Sequence, residues 1–263
     1  SDSEELVRLR QQNEELTRAV ATADSFKKNL MEKVKGLNSD KKDLTAQFPE
    51  LQIASLYTHL VGADEAVHED FSLHQLELFS KMCQQIAGFI GFMPIRHALN
   101  SAGIIRYPAY QFDMVRLGIG LYGVEVNGIY DAALRPISSL KTTISQIKTV
   151  DAGETIGYSR KGRLSSNGKI ATIAIGYADG YDRRFSNGKG FVLIHGKKAP
   201  VIGNVCMDMT MINITGIEAN EGDEVIIYGP GISLKELSER IGTIPYELLT
   251  NISSRVKRVY YLD

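Results

Sequence analysis

Along residues 1–47 apolar side chains recur with a seven-residue period. One row falls on Leu9, Leu16, Ala23, Leu30, Leu37 and Leu44, and the flanking row on Leu6, Asn13, Val20, Lys27, Val34 and Lys41. The first row is apolar throughout and the second only half so. The positions around them are rich in Glu, Gln, Lys and Arg, and the segment has no proline. A heptad pattern sustained this long predicts a coiled-coil-like helix; a single amphipathic helix lying on the globular body is the other reading. Asn13 in the flanking row favours two parallel strands of coil at some cost in stability. Gly36 and the cluster Asn38-Ser39-Asp40 weaken the last heptads.

Phe48-Pro49-Glu50 ends that pattern. Gln52 to Leu60 then reads as a mostly apolar strand. Phe71 to Phe92 has helix-period apolar residues at Phe71, Leu76, Phe79, Met82, Ile86, Phe89 and Ile90. Pro94 follows, then a short strand-like piece ending in His97-Ala98-Leu99-Asn100-Ser101. Met114 to Tyr122 reads as a further apolar strand. Strand, helix, strand, strand is the rhythm of α/β barrel units. From about Ile137 the texture changes to short β-rich runs between glycine turns: 142–150, 169–175, 190–194, 201–205, 209–214 and 223–228. These predict a mainly antiparallel β-domain, sandwich or barrel. One helix interrupts it, Ser233 to Ile241, with Ser233 as N-cap and Glu236 completing a capping box. The domains expected are thus 1–47, 48–136 and 137–263.

Composition narrows the function. In 263 residues the hydrophobic share is 43%, enough for a packed core, and the formal net charge is −1. Nucleic acid is therefore not the expected partner. Cys83 and Cys206 lie far apart without metal spacing, which suits a reducing cytoplasm rather than a disulfide scaffold. No apolar run reaches the ~18 residues of a membrane span, and the acidic start Ser1-Asp2-Ser3-Glu4 does not look like a signal peptide.

Three glycine-flanked blocks hold the candidate chemistry: Glu154-Thr-Ile-Gly-Tyr-Ser-Arg160, Ile175-Gly-Tyr-Ala-Asp-Gly-Tyr181 and Gly203-Asn-Val-Cys-Met-Asp-Met209. Such loops carry function on a rigid scaffold. Tyr158 can act as an acid or base only if nearby positive charge lowers a phenol that otherwise titrates near ~10. Taken alone, it is equally a tyrosine packed at a strand end. Ala178-Asp179-Gly180 alone is a turn, and Cys206-Met207 alone is core packing. Upstream, His59 sits at a strand end, where barrel active sites gather, though a lone histidine is usually structural. Asn100 and Ser101, just after His97, can offer amide and hydroxyl groups to a phosphate. Arg116 and the backbone of Gly118 and Ile119 occupy another strand end.

In order and spacing, the three blocks resemble the C-terminal domain of alanine racemase. Tyr57-Thr-His-Leu-Val-Gly-Ala-Asp-Glu65, Arg96-His-Ala-Leu-Asn-Ser-Ala-Gly103 and Phe112-Asp-Met-Val-Arg-Leu-Gly-Ile-Gly-Leu-Tyr-Gly123 resemble the same family in the same order. The resemblance runs from about Leu51 to Leu262. It implies a partial (β/α)8 barrel followed by the antiparallel β-domain, and pyridoxal 5′-phosphate (PLP) as cofactor. It implies that Tyr158 is one of two catalytic bases that interconvert L- and D-alanine. By the same resemblance His59 stacks by the PLP ring, Asn100, Ser101, Gly118 and Ile119 hold the phosphate, and Arg116 meets the pyridine nitrogen. Tyr177 lies near the phosphate and the substrate opening, the Met207 backbone meets the substrate carboxylate, and Asp208 supports it. Cytoplasmic D-alanine supply for peptidoglycan and a head-to-tail homodimer are further implications.

The chain departs from that pattern in three places. No lysine stands in the family's Lys-Ala-Asn-Ala-Tyr-Gly context, so the covalent anchor of PLP and the second base are missing from these residues. About five of the family's eight barrel strands are missing as well, which predicts exposed strand edges. Ser254 stands in Ile252-Ser-Ser-Arg-Val256 where the family often has a tyrosine, and could admit a larger amino acid such as serine. Two expectations follow: a racemase-like chain inactive by itself, or a catalytically dead oligomerisation scaffold derived from one.

Overall fold

The structure is a computed structural model that describes residues 52–129 and 134–261, together with Glu32. The expected heptad helix lies outside the described residues. Residues Ser55–Asp263 form one compact unit.

The unit begins with strand β1 (Ser55–Tyr57), helix α1 (Glu69–Ile90), strand β2 (Ile95–His97) and helix α2 (Ser101–Arg106). β1 and β2 pair in parallel, Ser55 opposite Ile95 and Tyr57 opposite His97, so a helix crosses between parallel strands as a barrel unit requires. Glu69 and Asp70 in its first turn complement the α1 dipole. Gly91 ends it in the left-handed region, its N–H donating to Ala87 O. The buried face of α1 is Ser72, Leu76, Phe79 and Cys83, packed with Leu60, Ala98, Leu99 and Tyr107. Phe71 and Phe89, periodic in sequence, are exposed. The strand read over 52–60 is regular only at Ser55–Tyr57.

The strand expected over Met114–Tyr122 is not one. Asp113 and Met114 both donate to Arg96 O and Arg116 donates to Leu99 O, so the chain follows β2 without a ladder. The Ser101 hydroxyl then accepts the N–H groups of Gly118 (2.8 Å) and Gly120 (3.1 Å), which a strand would have needed for pairing. A 3₁₀ turn at Ile119–Tyr122 follows.

The remainder is β3 (Leu140–Val150), β4 (Thr155–Ile156), β5 (Gly162–Arg163), β6 (Gly168–Ile173), β7 (Phe191–Ile194), β8 (Lys197–Pro200), β9 (Thr210–Asn213), β10 (Glu224–Tyr228), and helices α3 (Leu234–Ile241) and α4 (Pro245–Thr250). Six strands form an antiparallel sheet in the order β8-β7-β10-β3-β6-β9. Its two edges meet where Val201 bridges Ile212, so the sheet curls almost into a barrel. β3 serves both halves: Leu140–Thr143 pair with β10 and Ile144–Val150 with β6. Register shifts near Ile144 and near Ile226 supply the bend. Inside lie Ile144, Ile173, Ile194, Ile212, Ile214 and Ile227, all fully buried.

Two elements of this half differ from the sequence expectation. The run 201–205 leaves the ladder after Val201, and the strand before it is Lys197–Pro200, whose single inward apolar residue, Ala199, gave little pattern. Helix α4, opened by Pro245 at its first turn, was not anticipated. The α3 cap is as expected, Ser233 Oγ accepting from Glu236 N at 3.0 Å. Glu236 instead bonds Lys198 and Arg240, and those two cations flank the Phe191 ring at 4.2 and 4.6 Å.

Candidate functional site

Arg116 organises the barrel-side group. Its Nη1 contacts His97 Nδ1 at 2.6 Å and donates to His97 O at 3.2 Å; its Nη2 donates to Thr58 O at 3.0 Å and Ala98 O at 3.1 Å. A guanidinium only donates, so His97 Nδ1 accepts and the imidazole proton sits on Nε2, which faces Ser55 Oγ at 3.4 Å. Burial, and then the Arg116 charge, push the His97 pKa down, which keeps the ring neutral. Tyr57 stacks on His97 with centroids 5.4 Å apart, and Arg116 lies over the Tyr57 ring. His59 is exposed, its Nδ1 3.5 Å from Arg116 Nη2. Gln75 on α1 braces this strand end by donating to Thr58 Oγ1 (2.9 Å) and His59 O (2.8 Å). His97, Thr58 and Gln75 were not singled out as site residues by sequence; only the proximity of His97 to Asn100 hinted at one of them.

Beside this group, Asn100 caps α2 through Gly103 N at 2.9 Å, and Ser101 opens the helix. The Ser101 oxygen accepts two amides, so its own proton is free to donate outward. Among the described residues no acceptor meets Ile119 N, Asn100 Nδ2 or Arg116 Nε. Gly118 and Gly120 lie against Ser101, where added Cβ atoms would stand 3.5 and 3.4 Å from its hydroxyl. That donor set fits the phosphate and ring-nitrogen ends of PLP. The one lysine of residues 55–129 is the exposed Lys81 on α1. No group of metal-ligating side chains occurs among the described residues.

The three glycine blocks converge on the β-domain. Tyr158 lies in the loop between β4 and β5, 72% exposed. Gly157, Ser159 and Arg160 all have positive φ, and the last two are strained for that. A small core of Val150, Ile156, Leu164, Ile170 and Ile202 supports the hairpin. Tyr158 O accepts from Asn204 Nδ2 at 3.1 Å, tying the first block to the third. Asn204 stands in the third block, where nothing local in the motif points to this bond. The second and third blocks touch backbone to backbone: Tyr177 N donates to Cys206 O and Ala178 N to Met207 O, both at 3.0 Å. A Cβ at Gly176 would stand 2.3 Å from both of those carbonyl oxygens, so only glycine fits. Tyr177 and Met207 are exposed on this cluster. The Cys206 thiol is pushed up by burial and is no ready nucleophile. Arg255 links Asp179 to Asp208. The contacts of Arg116 all lie in the barrel segments, and those of the Tyr158 backbone in the β-domain.

Comparison with known proteins gives a consistent answer. The family model described as alanine racemase, N-terminal domain, matches residues 36–126, and the alanine racemase C-terminal domain matches residues 137–260. The first match starts at Gly36, where the heptad pattern weakens. An alanine racemase of Desulfosudis oleivorans is 36% identical over 220 residues, covering 81% of this chain and 56% of its own length. That of Carboxydothermus hydrogenoformans is 39% identical over 229 residues, covering 84% and 62%. A crystal structure of the Streptomyces lavendulae alanine racemase aligns with TM-score 0.78 at 30% identity, covering 87% of this chain and 61% of that one. The Bartonella henselae alanine racemase, solved with covalently bound pyridoxal phosphate, aligns with TM-score 0.74 at 31% identity, covering 84% and 61%. The chain therefore spans roughly three fifths of the relatives it matches.

Proposed function

This chain belongs to the alanine racemase family, and on that premise we propose that it carries the non-covalent part of a PLP site together with one acid–base tyrosine for interconverting L- and D-alanine. The observation that supports this most is Arg116, fixed by three backbone carbonyls and a neutral His97 with Nε left to donate. Bound PLP supplies the electron sink for the α-carbon. The chain's own residues do the rest. Ser101, Asn100, Gly118 and Ile119 hold the phosphate. Arg116, a donor only, would meet the ring nitrogen and leave it unprotonated, which would make PLP a weaker sink and favour return of the proton to the α-carbon. His59 would stand against the ring, and Tyr177 would border the phosphate and the substrate opening. Met207 N meets the substrate carboxylate, and the Tyr158 hydroxyl exchanges a proton on one face. In this reading Tyr158 works against the His59 and Arg116 of a second copy, in a head-to-tail homodimer of the reducing cytoplasm, where D-alanine feeds peptidoglycan.

These 263 residues hold no lysine in the family's PLP-binding context, so the second base is not among them and the chain by itself does not racemise. Purified chain with PLP should convert no L-alanine and give no visible band that borohydride abolishes, yet should bind PLP reversibly, about tenfold more weakly in Arg116→Leu. Conversion to D-alanine that disappears in Tyr158→Phe would show that another lysine serves. A chain that binds no PLP at all would favour the second reading, a racemase-derived oligomerisation scaffold, which the heptad row and the absent lysine support.

A further inference from the structure

Arg255 ties together three loops that the sequence keeps apart. Its Nε donates to Asp179 Oδ1 at 2.7 Å, and its Nη2 donates to Asp208 Oδ1. Asp179 in turn accepts Gly176 N on Oδ2 at 2.9 Å, and its carbonyl accepts Ser253 N at 3.1 Å. The guanidinium thus fixes the turn after β6, the turn before β9 and the C-terminal segment as one body.

The Met207 and Asp208 amides meet no acceptor among the described residues, so two donors are open on an exposed turn. The half-exposed Asp208 carboxylate sits on the same turn. Left uncompensated, it would repel any carboxylate approaching those amides. Arginine cannot readily give up its proton, and the two carboxylates it spans hold that proton more firmly still. Resting on the racemase reading above, we propose that Arg255 is a positioning residue for the substrate carboxylate: it cancels the charge of Asp208 beside the Met207 amide and holds that turn against Asp179.

The test is a titration of the ¹⁵N-labelled full chain with propionate, a carboxylate without an amine, following the Met207 and Asp208 amides. Saturable shifts are expected in the wild type, binding about tenfold weaker in Arg255→Gln, and recovery to within about threefold in the Arg255→Gln, Asp208→Asn double variant. A purely structural clamp would not be rescued by removing Asp208. Equal affinity in wild type and Arg255→Gln, or a double variant as weak as the single one, overturns the inference while leaving the racemase reading intact. Should Arg255→Gln not fold, Asp208→Asn alone decides: binding at least as tight as wild type supports the inference, weaker binding overturns it. A wild type whose Met207 amide never responds removes both the carboxylate role of Met207 and this inference.

Discussion

At the scale of single residues, Asp113 is held well below the ordinary carboxylate range by Arg96. It accepts from Arg96 N at 2.8 Å, Nε at 2.9 Å and Nη2 at 3.2 Å, and the side-chain bonds above all bring its pKa to about 2. A carboxylate with a depressed folded-state pKa contributes stability above its unfolded value of about 3.9 and loses it as pH falls through the folded one. Amide protection around β2 should therefore fall between about pH 4 and pH 2, and Asp113→Asn should flatten that dependence in hydrogen exchange. Asn204 gives a second case. Its amide bridges Tyr158 O and Asn187 across 46 and 17 residues of chain. Asn204→Ala should cost about 0.5–1.5 kcal/mol in denaturant unfolding and speed exchange in residues 157–160, with β6 and β9 unaffected. Unchanged exchange in that loop would mean that its positive-φ turn is fixed without Asn204.

At the scale of elements, the two halves differ in how their backbone is satisfied. Among the described residues β1 and β2 form a sheet of two strands, with Tyr57, Val61 and Ile95 exposed about them. The β-domain sheet has six strands and nearly closes. Amides of Ile137–Leu262 should thus be protected more strongly than those of residues 55–123; equal protection would mean that something covers the β1–β2 edges in solution. Within the β-domain, Ser233→Ala should cost about 1 kcal/mol through loss of the α3 cap. What was legible in the sequence follows the same division. Ser233 and the glycines of the three blocks were readable because a cap and a backbone contact each demand a particular residue. The Met114–Tyr122 stretch misled because its apolar pattern is that of a strand while Ser101, far behind in sequence, captures its amides. The pairing of Arg255 with Asp179 and Asp208 spans 76 and 47 residues, beyond any local pattern. Arg116 and Ser101 were found through resemblance; the carbonyls and His97 that immobilise Arg116 came only with the fold.

At the scale of the whole molecule, the question is what assembles it. Leu9, Leu16, Leu30, Leu37 and Leu44 form one row along the N-terminal heptads. Burying each leucine contributes roughly 1.5–3 kcal/mol, against which Asn13, Lys27 and Lys41 in the flanking row count. The racemase reading supplies a second source of association, since Tyr158 stands exposed on the β-domain while the contacts of Arg116 lie in the barrel segments. The two sources can be separated because the family match begins at residue 36. Removing residues 1–35 takes away most heptads and leaves every residue of both candidate groups. Light scattering should show a dimer for the full chain. A shortened chain that stays dimeric assigns association to the racemase part, and one that becomes monomeric assigns it to the heptads. A monomer in both forms would remove the coiled coil and the head-to-tail dimer together, and with them the assignment of Tyr158 to a second copy's site.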